Sequence, residues 1–469
     1  MSNLQALQHI DATRQKELID RREISSLELT RYYIEQIEKK NQNLNAVVYE
    51  MFDEALHQVK EGKIFDGPFS GMPFLIKDLN SIKGHPATSG SEMLQNFTPT
   101  QDDEIVRRFR EAGLVFLGKT NTTEFGFLPT TEPTLFGPTR NPWNTTLSAG
   151  GSSGGAAAAV ASGMIPFAHA SDGGGSIRIP ASACGLFGFK PSRGVLPYSM
   201  YMNHLSVNHA VTRSVRDSAG LLDVLKGGTS YELYPTLDQS SSFSSSLEKP
   251  TQKLRIAYSS DFGGQVEIDQ DTRQALNQTV QLLRGLGHEV VEMDPPIDFS
   301  NFTKHFMNIW LAAGSVIIDH LGKASGEEPS EKNLEPLSFN VLKEGEKLTA
   351  FTYEESRVLI QLEVQKYLSM FREFDVLLSP VMNTTPKTLG SFQSDDIHSM
   401  HTTMMEYCSF TQIANVSGQP SMSVPLHWTD EGLPVGMQFT GQIGDDADLF
   451  KLASQLENAQ PWFHQYKAL

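Results

Sequence analysis

Cysteine is nearly absent from the chain, with Cys184 and Cys408 the two present in 469 residues. That excludes a disulfide framework, and neither residue forms a Cys-x-x-Cys pair or stands beside a His at metal-ligand spacing, so a reducing compartment is expected. No lysine- and arginine-rich run occurs and the formal net charge is −17, which leaves no basic face for a phosphate backbone. Long apolar runs are missing as well. The most apolar stretch, 154–170, is broken by Ser162-Gly163 and Pro166 and contains His169, which is too short and interrupted for a bilayer span. Residues 1–25 are studded with charges and carry no apolar h-region, so no secretory leader is visible and a cytoplasmic protein is expected. No repeat at a fixed period appears, which removes solenoids and propellers.

What remains is an ordinary globular balance, 39% hydrophobic and 20% charged, able to bury a large core. Ser25-Ser26-Leu27-Glu28 reads as a capping box, and Leu29, Tyr33 and Ile37 recur at four-residue spacing, which predicts a helix to about Lys40. Strands are expected over 46–49, 72–76, 114–117, 254–258, 288–293, 376–378 and 422–425. The periodic positions Ala275, Val280 and Leu283 predict a helix, and 302–367 reads as mostly helical. This alternation argues for an α/β/α sandwich. Residues 226–250 are polar and Ser-rich and read as a surface connection.

Two glycine and serine clusters stand out, Gly150-Gly151-Ser152-Ser153-Gly154-Gly155 and Asp172-Gly173-Gly174-Gly175-Ser176-Ile177-Arg178-Ile179-Pro180, separated by a helix over 156–161 and a strand over 164–170. A Gly-Gly-Gly-Ser turn can aim successive backbone N–H groups at one point and present a hydroxyl beside them, the geometry of an oxyanion hole with its nucleophile. Taken singly, such a cluster is also what any flexible turn looks like. Neither cluster has the lysine of a phosphate-binding loop or the acidic partner of a dinucleotide fingerprint. Gly151-Ser152-Ser153-Gly154-Gly155 fits a Gly-x-Ser-x-Gly nucleophile elbow centred on Ser153, the sharpest competing motif. Ser246-Leu247-Glu248-Lys249 fits Ser-x-x-Lys but lies in the polar connection. His169, in an apolar run, reads as a satisfied interior or near-surface histidine.

The stretch 148–190 resembles the amidase signature family. Support comes from Gly71-Met72-Pro73-Phe74-Leu75-Ile76-Lys77-Asp78, Gly118-Lys119-Thr120-Asn121, Gly137-Pro138-Thr139-Arg140-Asn141-Pro142-Trp143-Asn144 and Gly432-Leu433-Pro434-Val435-Gly436-Met437-Gln438. The resemblance implies a single-domain α/β/α sandwich over 1–469, with a large twisted mixed sheet covered by helices and a signature core over 71–195. It implies Ser176 as nucleophile, Ser152 in a cis peptide as proton bridge and Lys77 as base. Ser153 then becomes the neighbour of the bridge, and the elbow reading falls away. The oxyanion hole is expected on the backbone of Gly173, Gly174, Gly175 and Ser176, with Ser153, Asp172 and Arg178 as supports and no metal or organic cofactor. Lys119 and Lys190 are read as structural and Cys184 as a small core residue. Trp310 and the segment from Met404-Met405 to Phe410 are read as core packing, with the lining of an acyl pocket as the alternative. The third glycine before Ser176 looks like a branch that includes hydrolases of nylon-related amides, and Ala156 replaces a common serine. The expected partner is a small-molecule amide, linear or cyclic, with no nucleic acid or membrane contact and with homo-oligomerisation open. Two rival readings are the amide-hydrolysing component of a glutamine-dependent tRNA amidotransferase and an inactive binding or scaffold homologue.

Overall fold

A computed structural model describes residues 5–198, 202, 205–232, 234–237, 239, 241–393 and 397–469. The capping box forms as read: Ser25 Oγ accepts from the Glu28 N–H at 3.2 Å and the Glu28 carboxylate accepts from the Ser25 N–H at 2.8 Å. The helix runs Ser26–Leu44, beyond the expected end, and stops where Asn45 turns left-handed at φ 51°. Asn is among the few non-glycine residues that enter that region readily.

Two sheets carry the molecule. The smaller holds β1 (Val47–Glu50), β2 (Pro73–Lys77) and β3 (Val115–Thr120) in the order β1-β3-β2. The larger holds eight strands, β4 (Phe167–Asp172), β5 (Phe187–Lys190), β6 (Val207–Thr212), β7 (Arg255–Tyr258), β8 (Glu289–Glu292), β9 (Val376–Pro380), β10 (Ser421–Trp428) and β11 (Pro434–Thr440). Their order is β4-β6-β5-β10-β11-β9-β7-β8. Among the described residues the β2/β3, β7/β8 and β7/β9 pairs run parallel and the other strand pairs antiparallel, so the architecture is mixed α/β. The strands β5, β6 and β11 have no counterpart in the sequence reading. Where a strand was expected over 164–170, Gly163 ends the preceding helix at φ 81° and β4 begins only after Pro166, which has no N–H for a ladder.

The sheets meet at the edges of β2 and β4. His169 of β4 accepts the Lys77 backbone N–H on Nδ1 at 3.2 Å, and the rings of Phe74 and Phe167 stand 5.2 Å apart in one apolar core that serves both sheets. The helix Gly154–Ser162 is buried along its whole length. A Cβ on Gly155 would stand 2.5 Å from the Asn121 nitrogen, so only small residues fit this interface and the alanine run follows. A second apolar cluster forms around the helices Phe299–Ser325 and Ala350–Ser369 and supplies a ladder of rings, Phe302, Phe306 and Trp310, with the last pair 5.5 Å apart.

The Ser-rich connection is less of a surface feature than its composition suggests. Residues 233, 238 and 240 lie outside the described residues, but Phe243 is fully buried against Phe450, ring centroids 5.7 Å apart. The Asp223 carboxylate holds it there by accepting from Ser242 Oγ at 2.7 Å and from the Phe243 and Ser244 N–H groups at 2.8 and 2.9 Å. No helix among the described residues is long and apolar enough to cross a membrane.

Candidate active site

Lys77 ends β2 with no exposed surface, and its Nζ donates to Ser152 Oγ at 2.7 Å and to Ser171 Oγ at 3.1 Å. Burial pushes its ammonium down to about 7, against a smaller upward pull from Asp172. Both effects have the expected sign: a low-dielectric surrounding disfavours charge, and a nearby anion favours a cation. The Lys77 amine is therefore poised to be uncharged near neutrality.

Ser152 is 2% exposed and follows a cis peptide from Gly151. Its loop is gripped by a residue the sequence reading missed. Thr131 Oγ1 donates to the Gly150 carbonyl at 2.9 Å and accepts from the Gly154 N–H at 3.0 Å. The fit is close enough that a Cβ on Gly151 would lie 2.2 Å from the Thr130 carbonyl oxygen. Gly151→Ala is expected to cost about 1–3 kcal/mol or more by forcing that loop outward, with a lower melting temperature and reduced turnover in the same preparation.

The second glycine loop is organised by an ion pair. Asp172 and Arg178 are both fully buried, and Arg178 donates from Nε and Nη2 to the two Asp172 oxygens at 3.0 and 2.9 Å. Burial would raise the carboxyl, but the charge and hydrogen bonds of Arg178, with the amide of Asn415, outweigh it and hold Asp172 well below the usual carboxylate range. Asp172 also accepts the N–H of Gly175 at 2.7 Å and of Ile177 at 3.1 Å, which fixes the turn carrying Ser176. Of the four expected oxyanion donors, the Gly175 N–H is therefore engaged by Asp172 in this structure. Gly175 sits at φ 135°, a conformation that favours glycine, with Thr411 Oγ1 2.4 Å from where a Cβ would be. Ser153, expected as a support, donates to the Ser171 carbonyl at 3.3 Å and so ties one loop to the other.

Ser176 is partly exposed and lines a cleft with Gly126, Phe127, Gly174, Trp310 and Met405. Ser152 lies just behind this wall, because a Cβ on Gly126 would stand 3.2 Å from Ser152 Oγ. Trp310 and Met404-Met405 pack in the core as read, all three more than nine-tenths buried, and they also form the cleft beside Ser176, the alternative the sequence left open. His169 is satisfied, as read, with Nε2 3.1 Å from Asn208 Oδ1, and burial pushes it down to about 3, so it stays neutral. It is nonetheless the bridge that holds the Lys77 backbone. Lys119 is buried in an ion pair with Asp78 and donates to the Pro86 carbonyl at 2.7 Å, away from the glycine loops, and Cys184 is buried. Lys190 is buried and donates to the Pro191 carbonyl at 3.0 Å.

A sequence profile of the amidase family matches residues 28–450. The chain belongs to the amidase family. This amidase is 33% identical to the 6-aminohexanoate-cyclic-dimer hydrolase of Pseudomonas sp. (strain NK87), over 96% of this chain and 95% of that one. Its fold matches the solved 6-aminohexanoate cyclic dimer hydrolase in complex with substrate at a TM-score of 0.92 and 31% identity, covering 97% of this chain and 98% of that one. A glutamyl-tRNA(Gln) amidotransferase component from Thermotoga maritima is more distant, at a TM-score of 0.75 and 26% identity over 93% and 92% of the two chains. The amidase is an amidohydrolase, and the amidotransferase reading has the weaker support.

Proposed function

We propose that this amidase cleaves carboxylic amides, linear and cyclic, through a seryl acyl-enzyme, with Ser176 as nucleophile, Ser152 as proton bridge and Lys77 as base. The observation that carries the reading is a buried lysine, pushed down to about 7, whose Nζ lies 2.7 Å from a serine hydroxyl. Neutral Lys77 takes the Ser152 proton as Ser152 takes that of Ser176, and the Ser176 oxygen bonds to the amide carbonyl carbon. The proton returns through Ser152 to the leaving nitrogen as the C–N bond breaks. Water then attacks the ester by the same relay, releasing acid and free serine. Backbone N–H groups of the Gly173–Ser176 turn stabilise the tetrahedral oxyanion, a role worth about 3–4 kcal/mol per donor in comparable sites.

Cyclic substrates enter the proposal through the hydrolase relatives, and the apolar cleft supports an acyl group with little charge. We also read the chain as one folding unit, on the apolar core that both sheets share, and as a cytoplasmic protein, on two cysteines that are buried and unpaired. The test is release of amine or ammonia from a panel of amides and from glutamine, with no partner protein added. Turnover confined to glutamine and dependent on a partner would favour the amidotransferase reading.

The pH profile has a defined sign. The base works only when uncharged, so kcat/KM on a non-ionising amide should rise tenfold per pH unit below about 7 and level off above it. Lys190 and Glu124 are also displaced to about 7, both chiefly by burial. The inflection should therefore persist in Lys190→Met and vanish from the residual activity of Lys77→Met.

A further inference from the structure

Ser89 and Phe125 hold left-handed backbone, at φ 50° and 49°. A side chain as bulky as phenylalanine keeps that conformation only where its surroundings compel it. The two are joined. The Phe125 N–H donates to the Ser89 carbonyl at 2.8 Å, and the Ser89 N–H donates at 3.0 Å to the carbonyl of Asp78, the residue after Lys77. Phe125 in turn delivers Gly126, Phe127 and Leu128 to the wall of the cleft. That wall is packed closely from behind, since a Cβ on Gly314 would meet Val341 at 2.6 Å and the Phe127 ring at 3.1 Å.

One carboxyl group ties these parts together. Glu124 is 2% exposed, and its Oε1 accepts at 2.6 Å from Ser91 Oγ, two residues past Ser89. Its Oε2 accepts at 2.9 Å from the N–H of Glu335, which caps the helix Pro336–Lys347 that carries Val341. The Ser338 hydroxyl in the first turn of that helix is a further partner. Burial and the neighbouring Glu335 carboxylate push Glu124 up to about 7. The neutral acid fits the same contacts, giving a hydrogen to Ser91 and taking one from the Glu335 N–H. A carboxyl group taken this far out of water is unfavourable, and the catalytic relay does not use it. What its contacts secure is the wall.

We propose that Glu124 is a positioning residue for substrate binding: it fastens the Phe125–Leu128 wall both to the turn that hangs on Asp78 and to the helix behind Phe127, and so sets the fit of the acyl chain beside Ser176. It acts through Phe127 and touches neither Lys77 nor Ser152. This rests on the catalytic reading above and adds the residue that shapes its acyl side.

The test compares 4-nitrophenyl acetate with 4-nitrophenyl hexanoate, which share a leaving group and differ in acyl length, and follows nitrophenolate release over the Ser176→Ala background. In Glu124→Met, which keeps length and removes both polar contacts, KM for the hexanoate should rise by about 10–100-fold, the range for lost hydrogen bonds to a buried polar group. Its kcat, and both constants for the acetate, should stay within about threefold. Glu124→Gln can donate to Ser91 and accept from the Glu335 N–H, and it should return the hexanoate KM to within about threefold of wild type. Melting temperatures establish that each variant is folded. Should Glu124→Met fail to fold, Ser91→Ala decides in its place, with a rise of about 3–10-fold in the hexanoate KM expected and no rise overturning the role. A hexanoate KM unchanged in folded Glu124→Met, a loss shared equally by acetate and hexanoate, or a Gln variant no better than the Met variant also overturns it and leaves the catalytic reading standing. Nitrophenolate release by wild type no faster than by Ser176→Ala brings down both.

Discussion

Ser176→Ala is expected to lower kcat by about 10⁴–10⁶-fold, the scale on which removal of a serine nucleophile acts when the rest of the site is intact. Lys77→Met should lose about 10⁴-fold for a different reason. Methionine fills the volume of the buried lysine but cannot take the Ser152 proton, and positioned general bases contribute about 10²–10⁴-fold with further loss when the nucleophile depends on them. The decisive measurement is the double variant. If the two residues act in one relay, Ser176→Ala combined with Lys77→Met is no slower than Ser176→Ala alone, whereas independent roles would multiply the losses. Lys77→Met should also melt no lower than wild type, because it removes a group whose charged form is penalised by burial. A variant that is inactive and unfolded would point to packing instead of chemistry.

Arg178→Met is expected to cost about 3–5 kcal/mol of stability, although Arg178 has no place in the bond-making steps. The pair with Asp172 is fully buried, and removing one partner leaves the other as an uncompensated charge away from water. Arg178 also reaches the Thr411 carbonyl at 2.8 Å and Asn415 Oδ1 at 2.7 Å in one stretch and Gln438 Oε1 at 2.9 Å in another, so two distant stretches lose a common tie. Urea unfolding should show a lower midpoint with an unchanged slope. Adding Asp172→Asn should recover part of the loss, since it removes the stranded charge. Recovery of stability without recovery of activity is the expected pattern, because the aspartate also positions the Gly175 and Ile177 N–H groups.

Much of the candidate site was legible in the chain because it lies on two local motifs, 71–78 and 148–190, whose resemblance to the amidase signature family marks Lys77, Ser152 and Ser176; composition alone left the glycine and serine clusters open to a flexible-turn reading. Some elements announced themselves directly. The helix from Ser26 did so through its capping box. The strands β5, β6 and β11 did not: Phe187–Lys190 is only four residues long, and the other two are mixed in pattern, so their pairing is settled by neighbours far along the chain. Thr131, His169 and Thr411 share that difficulty. Each acts through a contact whose partner is fixed only when the sheets meet or when a helix from the second half lies over the glycine turn. The Gly175 N–H shows the limit from the other side, because a motif can mark four possible donors without showing that one of them is already in use.

The proposed triad lies entirely between Lys77 and Ser176, while much of the cleft wall comes from Phe306 to Gln412. Chemistry and recognition are thus inherited on separate stretches, and descendants of this chain can exchange the later stretch for another while keeping the earlier one. The two meet at Thr411 and Gln412, where one residue clamps the Gly174 carbonyl and the next lines the cleft. Diversification there is constrained from both sides, since any backbone shift that reshapes recognition also pulls on the turn that presents the nucleophile.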